Sequence, residues 1–110
     1  MAGASLPSVY LHYTLAVIRS FRHKGLEELF RSGSKAGMQP RHAARLRLQL
    51  GRLDASDAPA AMALPGWRLH PPKGQLAGHW AVWVDRNWRL TFSFSGPHAA
   101  VVDYQGYHQE

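Results

Sequence analysis

Apolar positions along this chain recur with two periods, and the change falls near residue 66. Before it the spacing is helical. Leu26, Leu29 and Phe30 lie three and four residues apart, and Ser32-Gly33-Ser34 closes that run. A longer stripe of Ala43, Leu46, Leu50 and Leu53 predicts a helix from about Pro40, a good first-turn residue, to about Asp54. Ser56-Asp57 is positioned to cap one more short turn through Ala61, ended by Leu64-Pro65-Gly66. Ahead of the helices, Leu15 to Phe21 is apolar and β-branched and predicts a short strand.

After residue 66 the period drops to two. Trp67-Arg68-Leu69-His70 is a strand candidate closed by Pro71-Pro72. Residues His79 to Val84 alternate, with Trp80, Val82 and Val84 on one side and Ala81 and Trp83 on the other. Asp85-Arg86-Asn87 predicts a turn. Next, Trp88, Leu90, Phe92 and Phe94 oppose Arg89, Thr91 and Ser93. Ser95-Gly96-Pro97-His98 predicts the following turn, and Ala99 to Tyr104 the last strand. The order β-α-α-β-β-β is that of an α+β domain with two helices packed on one face of a small antiparallel sheet.

Composition narrows the picture. The 110 residues contain no cysteine, which excludes disulfides, thiol chemistry and Cys-ligated zinc and fits a cytoplasmic protein. Residues 1–16 hold no Lys, Arg, Asp or Glu. They are too short and mixed to span a bilayer and lack the marks of a secretory signal, so they read as an N-terminal extension to a single domain at 17–110. Thirteen Lys and Arg against seven Asp and Glu give a net charge of +6. Residues 17–52 carry nine basic residues against Glu27 and Glu28 only, a local excess of +7, while the rest is nearly neutral. A basic surface of this kind suits an anionic partner, nucleic acid first. Arg22, Lys24, Arg41, Arg45, Arg47 and Arg68 are the candidate RNA contacts, though Arg41, Arg45, Arg47 and Arg52 also read as an ordinary solvated helix face.

The sheet face opposite the helices offers Arg89, Thr91 and Ser93. Nearby strand ends add His70, Lys73 and the run Tyr104-Gln105-Gly106-Tyr107-His108. Two histidines, a lysine, an arginine and a tyrosine without a carboxylate pair suit metal-free RNA cleavage. Imidazole moves the protons, the cations neutralise the phosphate, and tyrosine stacks on a base. The other histidines (His12, His23, His42, His79 and His98) have no ligand spacing, so no metal and no cofactor is expected. Duller readings stand beside these: Arg89 as a solvated strand residue pairing with Asp103, and the tryptophans as core.

Several blocks carry a family resemblance. Ile18-Arg19-Ser20-Phe21-Arg22-His23-Lys24-Gly25-Leu26, Gly33-Ser34-Lys35-Ala36-Gly37, Leu64-Pro65-Gly66-Trp67-Arg68-Leu69-His70-Pro71, Asn87-Trp88-Arg89-Leu90-Thr91-Phe92 and Val102-Asp103-Tyr104-Gln105-Gly106-Tyr107-His108 resemble the HigB toxins of the RelE/ParE superfamily. The resemblance runs from about Val17 to His108. It implies a toxin that cleaves messenger RNA in the ribosomal A site and is held inactive by a HigA-like antitoxin. It also implies that His70, Lys73, Arg89, Tyr107 and His108 are the catalytic set, with the base and acid roles of the two histidines unassigned. Members commonly have an acidic residue where this chain has Gly106, a departure that bears on activity. The alternative is a toxin-fold protein that acts by binding protein, as gyrase poisons do.

Overall fold

The computed structural model describes residues 17–72, 74 and 78–106. The predicted extension at 1–16 therefore lies outside the described residues, as do Lys73, Tyr107 and His108. Two helices pack on one face of a three-stranded antiparallel meander, the α+β arrangement expected from the change of period. Helix α1 spans Lys24–Ser32 and helix α2 spans Ala43–Asp54. Strands β1 (His79–Asp85), β2 (Trp88–Ser95) and β3 (His98–Gly106) lie in the order β1-β2-β3.

Helix α1 is fixed at both ends by side chain and backbone. His23 sits in an extended conformation, and its Nδ1 accepts the Leu26 N–H at 3.1 Å, relieving one of the first-turn amides. Gly33 closes the helix at φ 82°, where its N–H reaches the Leu29 carbonyl at 2.9 Å. A 3-10 turn at Pro40–His42 leads directly into α2. The predicted stripe of Ala43, Leu46, Leu50 and Leu53 is buried throughout. Its three leucines meet Leu26 and Leu29 of α1 and Val82, Leu90, Phe92 and Val102 of the sheet in a single core. Beyond α2 the expected cap is different. The Ser56 hydroxyl turns back to the Arg52 carbonyl at 2.6 Å, and the short 3-10 helix at Pro59–Met62 has no side-chain cap.

Two predicted strands shrink to bridges, for reasons visible in the backbone. Of the expected 15–21 strand, the described part touches β3 in parallel only at Ile18–Ala99 and Phe21–Val102. There β3 bulges, since Ser93 pairs with Ala100 and Thr91 with Asp103, leaving Val101 and Val102 opposite the single Phe92. Val101 takes the left-handed conformation (φ 46°), and its N–H turns to the Ser20 hydroxyl at 2.9 Å. A regular ladder cannot continue past that point. Trp67–His70 likewise forms one bridge to β1, at His70–Ala81, and one further main-chain bond from the Trp83 N–H to the Trp67 carbonyl at 2.8 Å, because Arg68 between them is left-handed at φ 54°. Among the described residues no helix is long and apolar enough to cross a membrane.

Candidate active site and its supports

The site grows from a second bulge. Trp83 pairs with Arg89, but Asp85 rather than Val84 pairs with Trp88, so β1 carries one extra residue near its end. The Trp83 carbonyl accepts from Gln49 Nε2 at 2.9 Å and from Arg45 Nη2 and Nε at 3.2 and 3.3 Å. Both donors belong to α2, so the helix behind the sheet holds the bulged strand. On the far face the Trp83 ring packs against two guanidinium groups, with Arg68 4.1 Å and Arg89 4.4 Å from its centroid.

Arg89 is not the solvated strand residue that its alternation allows. It is only 2% exposed, and its Nη1 donates to the carbonyls of Asp85, Arg86 and Trp88 at 3.0 to 3.2 Å. Thr91 and Ala81 on the same face are buried too, so this face is not an open polar surface. Asp103 stands opposite Thr91, not Arg89, and its carboxylate is taken by the Tyr104 N–H and the Gln105 amide at 2.9 and 2.8 Å.

His70 is tied to Arg68, the strained residue two positions before it. The left-handed backbone of Arg68 leaves its carbonyl 2.6 Å from His70 Nδ1. A carbonyl only accepts, so Nδ1 carries the proton, and Nε2 of the neutral ring presents a lone pair. Main-chain bonds to Ala81, 3.0 and 2.7 Å long, fix the residue to the edge of β1. A non-glycine residue at positive φ costs about 1–3 kcal/mol and tends to occur where a geometry is needed for function.

The predicted basic contacts separate into two kinds. Arg22, Lys24, Arg41, Arg47 and Arg68 are exposed. Arg45 is half-buried and spends its guanidinium on the Trp83 and Gly66 carbonyls, so it is a structural brace and not a wet phosphate ligand. Thus the structure gathers Arg68 and Arg89 around Trp83 and holds His70 through the Arg68 carbonyl and the Ala81 main chain. Lys73, Tyr107 and His108 lie outside the described residues, and the exposed Arg22, Lys24, Arg41 and Arg47 take no part in the contacts around Trp83.

Sequence reasoning missed a second cluster, on the helix side of the sheet. His42 is 3% exposed, with Nε2 2.5 Å from Asp85 Oδ2 and Nδ1 2.6 Å from the Tyr104 hydroxyl. The ionised carboxylate can only accept, so Nε2–H donates to it, while Nδ1 shares a hydrogen bond with the Tyr104 hydroxyl. Burial pushes the Asp85 carboxyl up, but hydrogen bonds from His42 and the Asn87 N–H and the charges of His42 and Arg41 outweigh it, so its pKa lies below the usual value. Burial, with the Asp85 charge assisting, raises Tyr104 above the ordinary phenol despite the Gln39 N–H bond. The one sequence signal was His42 following a helix-initiating proline, and it carries no hint of strands 43 and 62 residues away. Among the described residues no group of three His, Asp or Glu side chains is placed to hold a metal ion.

A basic α+β domain of two helices on a three-stranded meander has the architecture of the RelE-like toxins. Residues 19–108 match the family described as RelE-like toxin of type II toxin-antitoxin system HigB. The chain is also 35% identical over 92 residues to a Proteus vulgaris protein named Endoribonuclease HigB, covering 84% of this chain and all of that protein. It belongs to the HigB-like toxins of type II toxin–antitoxin systems. Membership implies an antitoxin partner.

Proposed function

We propose that the protein is an endoribonuclease that cleaves messenger RNA on the ribosome by metal-free acid–base chemistry. The observation that carries this reading is His70, whose Nδ1 proton is held by the Arg68 carbonyl and whose Nε2 is left as the acceptor. In that tautomer His70 is the general base for the 2′-hydroxyl. The attacking oxygen closes on the adjacent phosphorus as the 5′-oxygen leaves, giving a 2′,3′-cyclic phosphate and a 5′-hydroxyl. The leaving oxygen needs a proton, and with His70 as the base that role is left to His108. Lys73 and Arg89 supply charge to the pentacoordinate phosphate, and Tyr107 places the base. The relative's name, Endoribonuclease HigB, supports the reaction class. Imidazole and guanidinium groups suffice for every step, so no metal is required.

The remaining parts follow from the same reading. Residues 17–110 form the toxin domain, the exposed Arg22, Lys24, Arg41, Arg47 and Arg68 bind RNA, and a HigA-like antitoxin restrains the protein in the cytoplasm. The decisive experiment is primer extension on a message translated in extract containing the toxin. Cleavage by the wild type should fall by about 10²–10⁴-fold in His70→Ala, the usual range for a lost acid–base group. Undiminished cleavage in that variant removes His70 from the chemistry. No cleavage by the wild type leaves the protein-binding alternative.

A further inference from the structure

A cavity of about 430 Å³ opens on the helix side of the sheet, away from His70, and the proposed chemistry does not use it. Its volume lies within the roughly 300–1,000 Å³ typical of small-ligand clefts. Trp88 and Tyr104 form one wall, stacked at 4.5 Å between centroids and 25° between planes. His23 meets Tyr104 edge-on at 5.4 Å, and Gly37 and Met38 also line the cavity.

The walls are held rigidly. A Cβ on Gly37 would lie 2.5 Å from the Gly25 Cα, and one on Gly25 would lie 2.8 Å from the Gly37 Cα. Only two glycines permit the loop to lie this close to the start of α1. The Tyr104 ring is fixed by its bonds to His42 and to the Gln39 N–H, the latter 3.3 Å. Because His23 Nδ1 accepts from Leu26, the neutral ring keeps a donor on Nε2.

Cations flank the lining residues. Lys24 follows His23, Arg41 follows Pro40, and Lys35 begins the turn in which the Met38 N–H reaches its carbonyl; all three are exposed. The opposing charge is Asp85, already engaged by His42 and Arg41. An aromatic wall with a ring N–H donor, set among surface cations, is the chemistry that holds an unpaired base and its phosphates. An aliphatic peptide side chain would use the apolar wall but leave the cations without a counterpart.

We propose that this cavity binds one unpaired nucleotide of single-stranded RNA, its base against the Trp88–Tyr104 wall and its phosphates against Lys24 and Lys35. The inference rests on the reading of the protein as RNA-directed, but not on which residues cut. The intact toxin would be irradiated with a 2′-O-methyl pentanucleotide carrying a central 5-iodouridine, which lacks the hydroxyl needed for cleavage, and adducts would be mapped by mass spectrometry. Adducts are expected on Trp88, Tyr104 or His23. The exposed double variant Lys24→Glu/Lys35→Glu should weaken binding about tenfold or more and lower the salt slope by about 0.7 per cation removed. Adducts confined to the Trp83 and His70 surface, or an unchanged double variant, would overturn the proposal. So would protection of these residues by the antitoxin with no RNA adduct, which would make the occupant a protein. Cleavage of translated message by a toxin that gives no adduct here defeats this inference alone. Loss of both cleavage and every RNA adduct defeats the RNA-directed reading as well.

Discussion

His42 and His70 stand on opposite sides of one sheet and show how position decides what an imidazole does. His42 is sealed on the helix side, with both ring nitrogens engaged by Tyr104 and Asp85. His70 is half-buried at the far edge, with one nitrogen fixed by a backbone carbonyl. A ring held at both nitrogens joins structural elements together. A ring held at one nitrogen has its tautomer set and its other nitrogen ready for a proton. Arg45 and Arg47 repeat the lesson two residues apart on α2. The first braces the Trp83 carbonyl, and the second is exposed beside the groove between the helices.

The contrast can be broken first at the histidines. Beyond the cleavage loss expected for His70→Ala, that variant should leave the melting temperature nearly unchanged. His42→Ala should do the reverse. It takes the imidazole from the Tyr104 hydroxyl, which keeps the Gln39 N–H, and from the Asp85 carboxylate, which keeps the Asn87 N–H and Arg41, a loss of about 2–4 kcal/mol readable by urea unfolding. Message cleavage should persist wherever that variant stays folded. Equal loss of activity per folded molecule in both would show that the two rings do not differ in kind.

The arginine pair gives a smaller separation. Arg45→Ala removes the brace on the β1 bulge and should cost about 1–2 kcal/mol in the same unfolding measurement. Arg47→Ala should stay within about 0.5 kcal/mol of wild type in stability, while the salt dependence of RNA binding loses about one phosphate contact. Stability losses of equal size would mean that Arg47 is a brace as well.

The smallest effect concerns acid. The folded-state pKa of Asp85 is depressed, so its contribution to stability is present above the unfolded carboxylate value of about 3.9 and is lost as pH falls through the lower folded value. Thermal melts from pH 5 downward should therefore fall less steeply for Asp85→Asn than for the wild type, from a lower starting point. Parallel slopes would show that Asp85 titrates alike in both states. Partial exposure of the carboxylate keeps the effect modest.

Much of the molecule was legible along the chain because the signals are local. The apolar stripe of α2 and the alternation in β1 and β2 depend on spacing within a single element, and a side chain three or four residues away is a neighbour by geometry. The glycine stop of α1 and the turns at 85–87 and 95–98 are equally local. The two short edge segments read as strands for the same reason, since β-branched and aromatic composition reports propensity. It does not report whether the neighbouring strand has a regular ladder to offer. The bulges at Val84 and Val101 and the left-handed Arg68 decided that, and none has a glycine to announce it.

For the site, the chain itself offered Arg89, His70, Lys73 and the Tyr107-His108 end, with Arg68 as an RNA contact, and the family blocks implied that the first five form a catalytic set. Only the tertiary structure decided the state of each described group. It buried Arg89 under its own turn, turned the Arg68 carbonyl to His70, and set Trp83 against two guanidinium groups. It also joined His42 to partners 43 and 62 residues away. Sequence determines what a side chain is able to donate, accept or carry. Which of those capacities is spent depends on atoms brought within 3 Å from distant parts of the chain, and a hydrogen bond of that length leaves no trace in the order of the residues.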